Sequence, residues 1–206
     1  MNKIVTHPVV QEKLTQLRNK NTNPELFKKL VDEMLPFVLY EATKDLQLEN
    51  VKIETPLSET VGQRLKNNVV LVPILRAGLG MVESAARIFP KAKIGHIGMY
   101  RNETTFQPVQ YYFKFPAIDS NTLVLILDPM LATGNSAICS IDIVSKLNPG
   151  KIKFIGLIAS AQGIGKLNQK CPSVDVYVAA VDQHLNSTNY IVPGLGDAGD
   201  RLFGTT

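Results

Sequence analysis

The sequence predicts an α/β fold: a parallel sheet flanked by helices. Three observations predict it. "NVVLVPIL" (68–75) is a continuous apolar run, as a strand covered on both faces must be. Further β-forming runs alternate with helical patterns, the order that builds right-handed βαβ units. No repeat or low-complexity linker interrupts the 206 residues, so one domain spanning 1–206 is expected.

Each element has its own signal. The N-terminal part, 1–48, reads as helices. A short one starts near Pro8. In "NPELFKKLVDEMLPFVLYEATKDL" Asn23 is an N-cap and Pro24 takes the first helical position. Leu26, Phe27, Leu30, Val31, Met34, Leu35, Val38, Leu39 and Ala42 then recur with a period near 3.6, giving one face expected to be buried. Pro36 should kink this helix.

The core is expected over about 68–182. "AGLGMVESAARIF" reads as a helix after the first strand, and "KIGHIGMY" (93–100) as a strand. "TLVLILD" (122–128) is another strand, followed by the helix "NSAICSIDIVSKL". "KIKFIGLIAS" (151–160) and "VDVYVAAVD" (174–182) are strands separated by the short helix "GIGKLNQK". "PVQYYFKF" (108–115) is extended and follows a polar stretch, so Thr104–Phe115 is expected to form a β-arm or flap able to act as a lid, with an edge hairpin or subunit contact equally open. The tail from about 183 to 206 is rich in Gly and Pro. It reads as a functional loop region rather than as a regular element.

Composition narrows the function classes. The chain is 45% hydrophobic, which argues against disorder, and its net charge of +4 comes from scattered basic residues. Without a polybasic cluster no nucleic-acid partner is expected. "MNKIVTHPVV" lacks the apolar stretch of a signal peptide, and no run nears the roughly 18–20 apolar residues of a membrane span. Cys139 and Cys171 have no metal-type spacing. A soluble cytoplasmic protein with reduced thiols is expected.

The chemistry concentrates at "LVLILDPMLATGNSA" (123–137). In open α/β sheets, ligands sit outside the carboxyl ends of the strands. Here a strand ends in Asp128, and small residues lead into a helix whose first N–H groups are free and carry the positive end of its dipole. Thr133 and Ser136 add hydroxyls. This describes a phosphate cradle. Thr, Asn and Ser are also ordinary capping residues, so the loop alone leaves a plain N-cap equally open. Asp128 shifts the balance. An acid closing an apolar strand is poorly explained by packing and well placed to accept hydrogen bonds from sugar hydroxyls. The Lys of a P-loop is absent, and no G-x-G-x-x-G follows a strand. Phosphate plus ribose hydroxyls without a dinucleotide points to a phosphoribosyl group.

"LVLILDPMLATGNS" resembles the phosphoribosyl-pyrophosphate (PRPP) signature of type I phosphoribosyltransferases. The Asp128–Pro129 pair resembles the uracil phosphoribosyltransferase branch, as do "PILRAGLGM" (73–81), "GMYRNE" (98–103) and "YIVPGLGDAGDRLFGT" (190–205). Four motifs in order cover nearly the whole chain. Asn135 departs from the family, which usually has a second Gly there; Asn tolerates a left-handed backbone, so the cradle is expected to survive. His184 stands where relatives often carry a small residue.

The resemblance implies transfer of the 5-phosphoribosyl group from PRPP to uracil, giving UMP and pyrophosphate. It implies a phosphoribosyltransferase-type sheet with a C-terminal base-binding region. For PRPP it implies Arg76, Arg101, Asp128, Pro129, Met130, Leu131, Ala132, Thr133, Gly134, Asn135, Ser136 and Asp197. The arginines would neutralise the leaving pyrophosphate, and Ala77, Gly78 and Gly80 would let backbone N–H groups approach it. Catalytic roles fall to Asp197, Arg101 and Asp128. The base edge would be met by Ile191, Gly196, Asp197 and Ala198. Read without the resemblance, the arginines are ordinary surface residues and "PGLGDAG" is a surface turn. Mg²⁺, held mainly through PRPP and water, is the implied cofactor. GTP as an activator, known in some relatives, and a homo-oligomer of at least two subunits complete the expectation.

Overall fold

A computed structural model describes residues 1–101 and 108–205. Its strands are β1 (Asn2–Ile4), β2 (Leu48–Glu54), β3 (Glu59–Leu65), β4 (Asn68–Leu75), β5 (Lys93–Ile94), β6 (His96–Arg101), β7 (Pro108–Lys114), β8 (Thr122–Leu127), β9 (Met130–Leu131), β10 (Lys151–Ile155), β11 (Ile158–Ser160), β12 (Asp175–Val178), β13 (Ala180–Asp182), β14 (His184–Leu185) and β15 (Ile191–Val192). Its helices are α1 (Pro8–Arg18), α2 (Pro24–Ala42), α3 (Leu79–Ile88), α4 (Asn135–Ser145), α5 (Ala161–Lys170) and α6 (Ala198–Phe203).

The main sheet runs β1-β12-β10-β8-β4-β6-β7, with β5 also beside β4. Its pairs are parallel except β6–β7. Alternate side chains build two cores, as the period of two requires. Leu71, Leu123, Leu125 and Leu127 face the layer of α1, α2 and α3, where Leu14, Phe27, Met34 and Met81 are buried. Val70, Val72, Val124 and Ile126 face the opposite layer with Ile141, Val144 and Leu167 of α4 and α5. Burial on both faces explains why the central strands read as unbroken apolar runs.

The α2 start follows its sequence signal: Asn23 Oδ1 accepts from the Leu26 N–H at 2.8 Å, with Pro24 behind it. Pro36 lies inside the helix without ending it.

Several elements differ from the sequence reading. The apolar runs 151–160 and 174–182 are each two strands. Pro129 O accepts from both Leu157 N and Ile158 N, and Leu157 O from both Ala179 N and Ala180 N. At these doubled bonds the strands leave the main sheet and continue as a small parallel sheet, β13-β11-β9, above its carboxyl edge. Pro108–Lys114 is extended as expected and forms the antiparallel edge strand β7 beside β6, in keeping with the edge-hairpin alternative; residues 104–107 lie outside the described residues. A separate arm is made instead by β2 and β3, paired from Leu48–Leu65 to Glu54–Glu59. The C-terminal tail is not wholly irregular: β14 and β15 pair, and α6 closes it between the Asp197 N-cap and Gly204 at φ 64°.

Candidate active site

Three stretches converge beyond the carboxyl ends of β4 and β8. The first is the turn Arg76–Gly78. The Leu75–Arg76 peptide is cis. A Cβ on Gly78 would stand 2.3 Å from Leu127 O, so this turn lies flat on the end of β8. The exposed Arg76 guanidinium meets Asp200 Oδ1 at 3.1 Å, and Thr205 Oγ1 donates to the same oxygen at 2.6 Å.

The second stretch is 128–136, between β8 and α4. The left-handed position falls on Gly134, with φ 78°, and not on Asn135. Asn135 is the first residue of α4, so the expected left-handed Asn is not used and the departure from Gly requires no backbone strain there. Its Oδ1 accepts from Lys166 Nζ at 2.5 Å. The Asn135 N–H reaches Thr133 Oγ1 at 3.5 Å, a weak local bond that leaves the hydroxyl free to donate outward. The start of α5 supports the loop from behind. Ser160 Oγ donates to Ala132 O at 2.6 Å and accepts from Gly163 N at 2.8 Å. A Cβ on Gly163 would lie 2.3 Å from Ala132 O, so only Gly allows this contact. Pro129 and Leu131 are buried and offer the loop backbone rather than side chain.

The third stretch is 190–200. Asp197 Oδ1 accepts from the Asp200 N–H at 2.9 Å and caps α6, while Oδ2 lies 3.4 Å from the Tyr190 hydroxyl. Gly194 and Gly196 have φ of 58° and 79°, and the Val192–Pro193 peptide is cis.

Arg76, Asp128, Ser136 and Asp197 line one cleft of ≈ 390 Å³ together with Ala77, Met99 and Gly199. A hollow of ≈ 100 Å³, sharing Asp128 and Ser136 with it, is lined by Met130–Ala137. Asp128 is half-buried. Loss of water pushes its carboxyl up to about 7; the Met130 backbone opposes the rise and the Asp197 charge adds to it.

The comparisons with known proteins fit this geometry. Residues 4–205 match the family model described as uracil phosphoribosyltransferase. The chain belongs to the uracil phosphoribosyltransferase family. A uracil phosphoribosyltransferase of Ureaplasma parvum is 49% identical over 206 residues, covering 100% of both chains. One from Mycoplasmoides gallisepticum is 50% identical, covering 99% of each. Among solved structures, a protein from Aquifex aeolicus is 37% identical with a TM-score of 0.96, covering 100% of this chain and 99% of that one. A hypoxanthine phosphoribosyltransferase from Trypanosoma cruzi is 14% identical, with a TM-score of 0.52 over 77% of this chain and 75% of its own, and shares the fold. The sheet with its flanking helices is the type I phosphoribosyltransferase architecture.

Not every expected residue lines the cleft. Of the proposed base contacts only Asp197 does; Ile191 and Ala198 are buried, so only their backbone could meet a base. Arg101 ends β6, and its side chain lies outside the described residues. His184 is exposed on β14, opposite Val192. Met99, Gly199 and Asp200 escaped the sequence reading. The first lies within "GMYRNE" and the other two within "GDAGD", so the motifs contained them without singling them out.

Among the described residues no group of three or more His, Cys, Asp or Glu could hold a metal alone. Two carboxylates in one cleft suit a divalent cation brought in by phosphates, which needs few protein ligands. No helix among the described residues is long and apolar enough to cross a membrane.

Proposed function

We infer that this protein transfers the 5-phosphoribosyl group of PRPP to uracil, giving UMP and pyrophosphate, a pyrimidine salvage reaction, and that it does so in the cleft above Asp128. The observation that carries the placement is the meeting of Arg76, Asp128, Ser136 and Asp197, from three distant stretches, around one cavity.

The residues divide the substrate between them. The 132–136 backbone and the Thr133 and Ser136 hydroxyls hold the 5′-phosphate at the start of α4. Asp128 accepts from the ribose hydroxyls. Arg76, drawn off Asp200, takes pyrophosphate oxygens, and Arg101 is assigned to the same anion. The bond from uracil N1 to C1′ forms as the bond from C1′ to the pyrophosphate oxygen breaks, and the proton that N1 gives up is taken by the leaving pyrophosphate or by water. Positive charge develops at C1′, and Asp197 supplies a negative charge beside it. Mg²⁺ bound with PRPP would neutralise the leaving pyrophosphate; Asp128 and Asp197 are the carboxylates available to it. The backbone of 191–198 reads the uracil edge. Activation by GTP and assembly into a homo-oligomer belong to the same reading; turnover with added GTP and mass in solution test them.

The deciding assay supplies PRPP, Mg²⁺ and one free base at a time. UMP from uracil, with no nucleotide from hypoxanthine or adenine, is expected. A purine nucleotide, or no product from uracil, would overturn the reading.

A further inference from the structure

The base-binding loop does not stand alone; α1 holds it. Arg18, the last residue of α1, forks onto Asp182 at the end of β13. Nη1 meets Oδ2 at 2.7 Å and Nη2 meets Oδ1 at 2.8 Å. The same Nη1 donates to Gly194 O at 2.7 Å, while the Gly194 N–H donates to Asp182 Oδ2 at 3.0 Å. One ion pair therefore grips both backbone groups of Gly194. This residue is at φ 58°, and a Cβ there would stand 2.0 Å from Ile191 O, so its conformation belongs to Gly. Arg201 holds the next residue from the other side. Its Nη1 donates to Leu17 O at 2.7 Å and Leu195 O at 2.8 Å, its Nη2 to Asn19 O at 2.6 Å, and its guanidinium lies 4.4 Å from the Phe27 ring centre.

These bonds hold the three peptides from Pro193 to Gly196, which lead into Asp197. A loop that recognises a base through backbone groups has no side-chain rotamers with which to correct its aim. Its accuracy comes from whatever holds its peptide planes. We propose that Arg18 and Asp182 are positioning residues for uracil: they set the direction of the Gly194–Asp197 backbone and so govern affinity and selectivity for the base without touching PRPP. The proposal rests on the reading that residues 190–199 receive the base.

A pair that merely tied down the tail would need one bond to it. Here the carboxylate and the guanidinium each take a different backbone group of one glycine. The fork also matters, because it orients Asp182 as well as neutralising it. A lysine would keep the charge but offer a point donor in place of two parallel N–H groups.

The test uses steady-state kinetics and calorimetry on R18K and D182N, both chosen to spare the fold, with uracil, cytosine and PRPP. R18K is expected to raise the uracil KM about tenfold, as for loss of a charged hydrogen bond. The PRPP KM should stay within about twofold, with kcat at saturating uracil little changed. D182N should do the same, and both should narrow the preference for uracil over cytosine. Normal PRPP binding by calorimetry identifies a folded site. G196A, which forces a Cβ at φ 79°, separates the two readings. If G196A raises the uracil KM and R18K and D182N lower only the melting temperature, the pair is purely structural and the proposal falls. If G196A also leaves the uracil KM unchanged, the base-loop reading falls with it.

Discussion

Asp128 and Asp197 line the same cleft, and the charge on Asp197 helps keep Asp128 protonated. Desolvation is the larger cause, and together with the neighbouring charge it outweighs the Met130 backbone contact and lifts the Asp128 carboxyl to about 7. The cleft thus holds an acid close to its titration point. Cationic or hydroxyl-bearing ligands would shift it toward its charged form.

This has a consequence for stability. The folded-state pKa of about 7 lies above the ordinary carboxylate value, so the folded protein binds more protons between the two. The strain is absent below about pH 4, grows as pH rises, and is complete above about pH 7. Asp128→Asn removes it, so at pH 8 and without ligand the variant should melt several degrees higher, for a gain on the order of 1–3 kcal/mol. The advantage should shrink steadily toward pH 5. A constant difference across that range in calorimetric scans would disprove the linkage.

Thr133→Val tests the phosphate cradle. The hydroxyl makes only a 3.5 Å bond within the loop, so its removal should barely affect folding. Loss of a hydrogen bond to a charged phosphate costs about 1.5–3 kcal/mol, or roughly ten- to a hundredfold in affinity. UMP should weaken by that factor in calorimetry, whereas uridine, which lacks the phosphate, should not. Equal weakening of both would show that Thr133 acts only on loop shape.

Gly163→Ala tests the support behind the cradle. The added Cβ would lie 2.3 Å from Ala132 O and 2.8 Å from Leu131 O, both fixed backbone atoms. Either α5 or the 131–132 backbone must move, at a cost of about 1–3 kcal/mol in stability. The expected result is a raised PRPP KM with the uracil KM nearly unchanged. An unaltered PRPP KM in a stable variant would mean that α5, not the loop, had yielded.

The acid and the loop were legible in the sequence because local rules govern both. Asp128 closes an apolar strand, and Thr133, Gly134 and Ser136 open a helix. The breaks near Pro129, Leu157 and Ala179 were not, since apolar side chains continue through them and periodicity does not record which sheet a strand joins. The arm of β2 and β3 exposes most of its residues, including Leu48, Ile53, Val61 and Leu65, so it lacks the one-sided burial that marks strands. Glycines at 194, 196, 199 and 204 hid the short helix α6. Asp200 and Asp182 acquire their roles from Arg76 and Arg18, 124 and 164 positions away, and no local pattern carries such pairings.

If the 191–198 backbone reads the base, as proposed, the choice of base follows from it. Uracil presents O4 as acceptor and N3–H as donor, whereas cytosine reverses both. Two buried groups of the 191–198 loop would then face like groups, each costing roughly 1–3 kcal/mol. Uracil should be favoured by about a hundredfold or more in kcat/KM. 5-Fluorouracil keeps the edge intact and should remain a substrate where the pocket admits the fluorine. Comparable kcat/KM for uracil and cytosine at saturating PRPP would sink the backbone reader.

Asp197→Asn separates capping from catalysis at one residue. The carboxylate does three things in the structure: Oδ1 caps α6 through the Asp200 N–H at 2.9 Å, Oδ2 accepts from the Tyr190 hydroxyl at 3.4 Å, and the side chain lines the cleft. Asn is as good an N-cap as Asp, because its amide oxygen accepts the same bond. The substitution therefore keeps the cap of α6 and removes the charge, together with the long bond accepted from the Tyr190 hydroxyl. If that charge serves mainly to stabilise the cation developing at C1′, its loss should appear in kcat, with the KM for PRPP and for uracil changed far less. Preorganised electrostatic groups of this kind are worth about 3–4 kcal/mol, so a fall in kcat of roughly a hundred- to a thousandfold is expected. Asp197→Ala adds loss of the cap, so its melting temperature should drop further than that of the Asn variant. An Asn variant with wild-type kcat would confine Asp197 to holding α6, and the charge beside C1′ would have to come from elsewhere in the cleft.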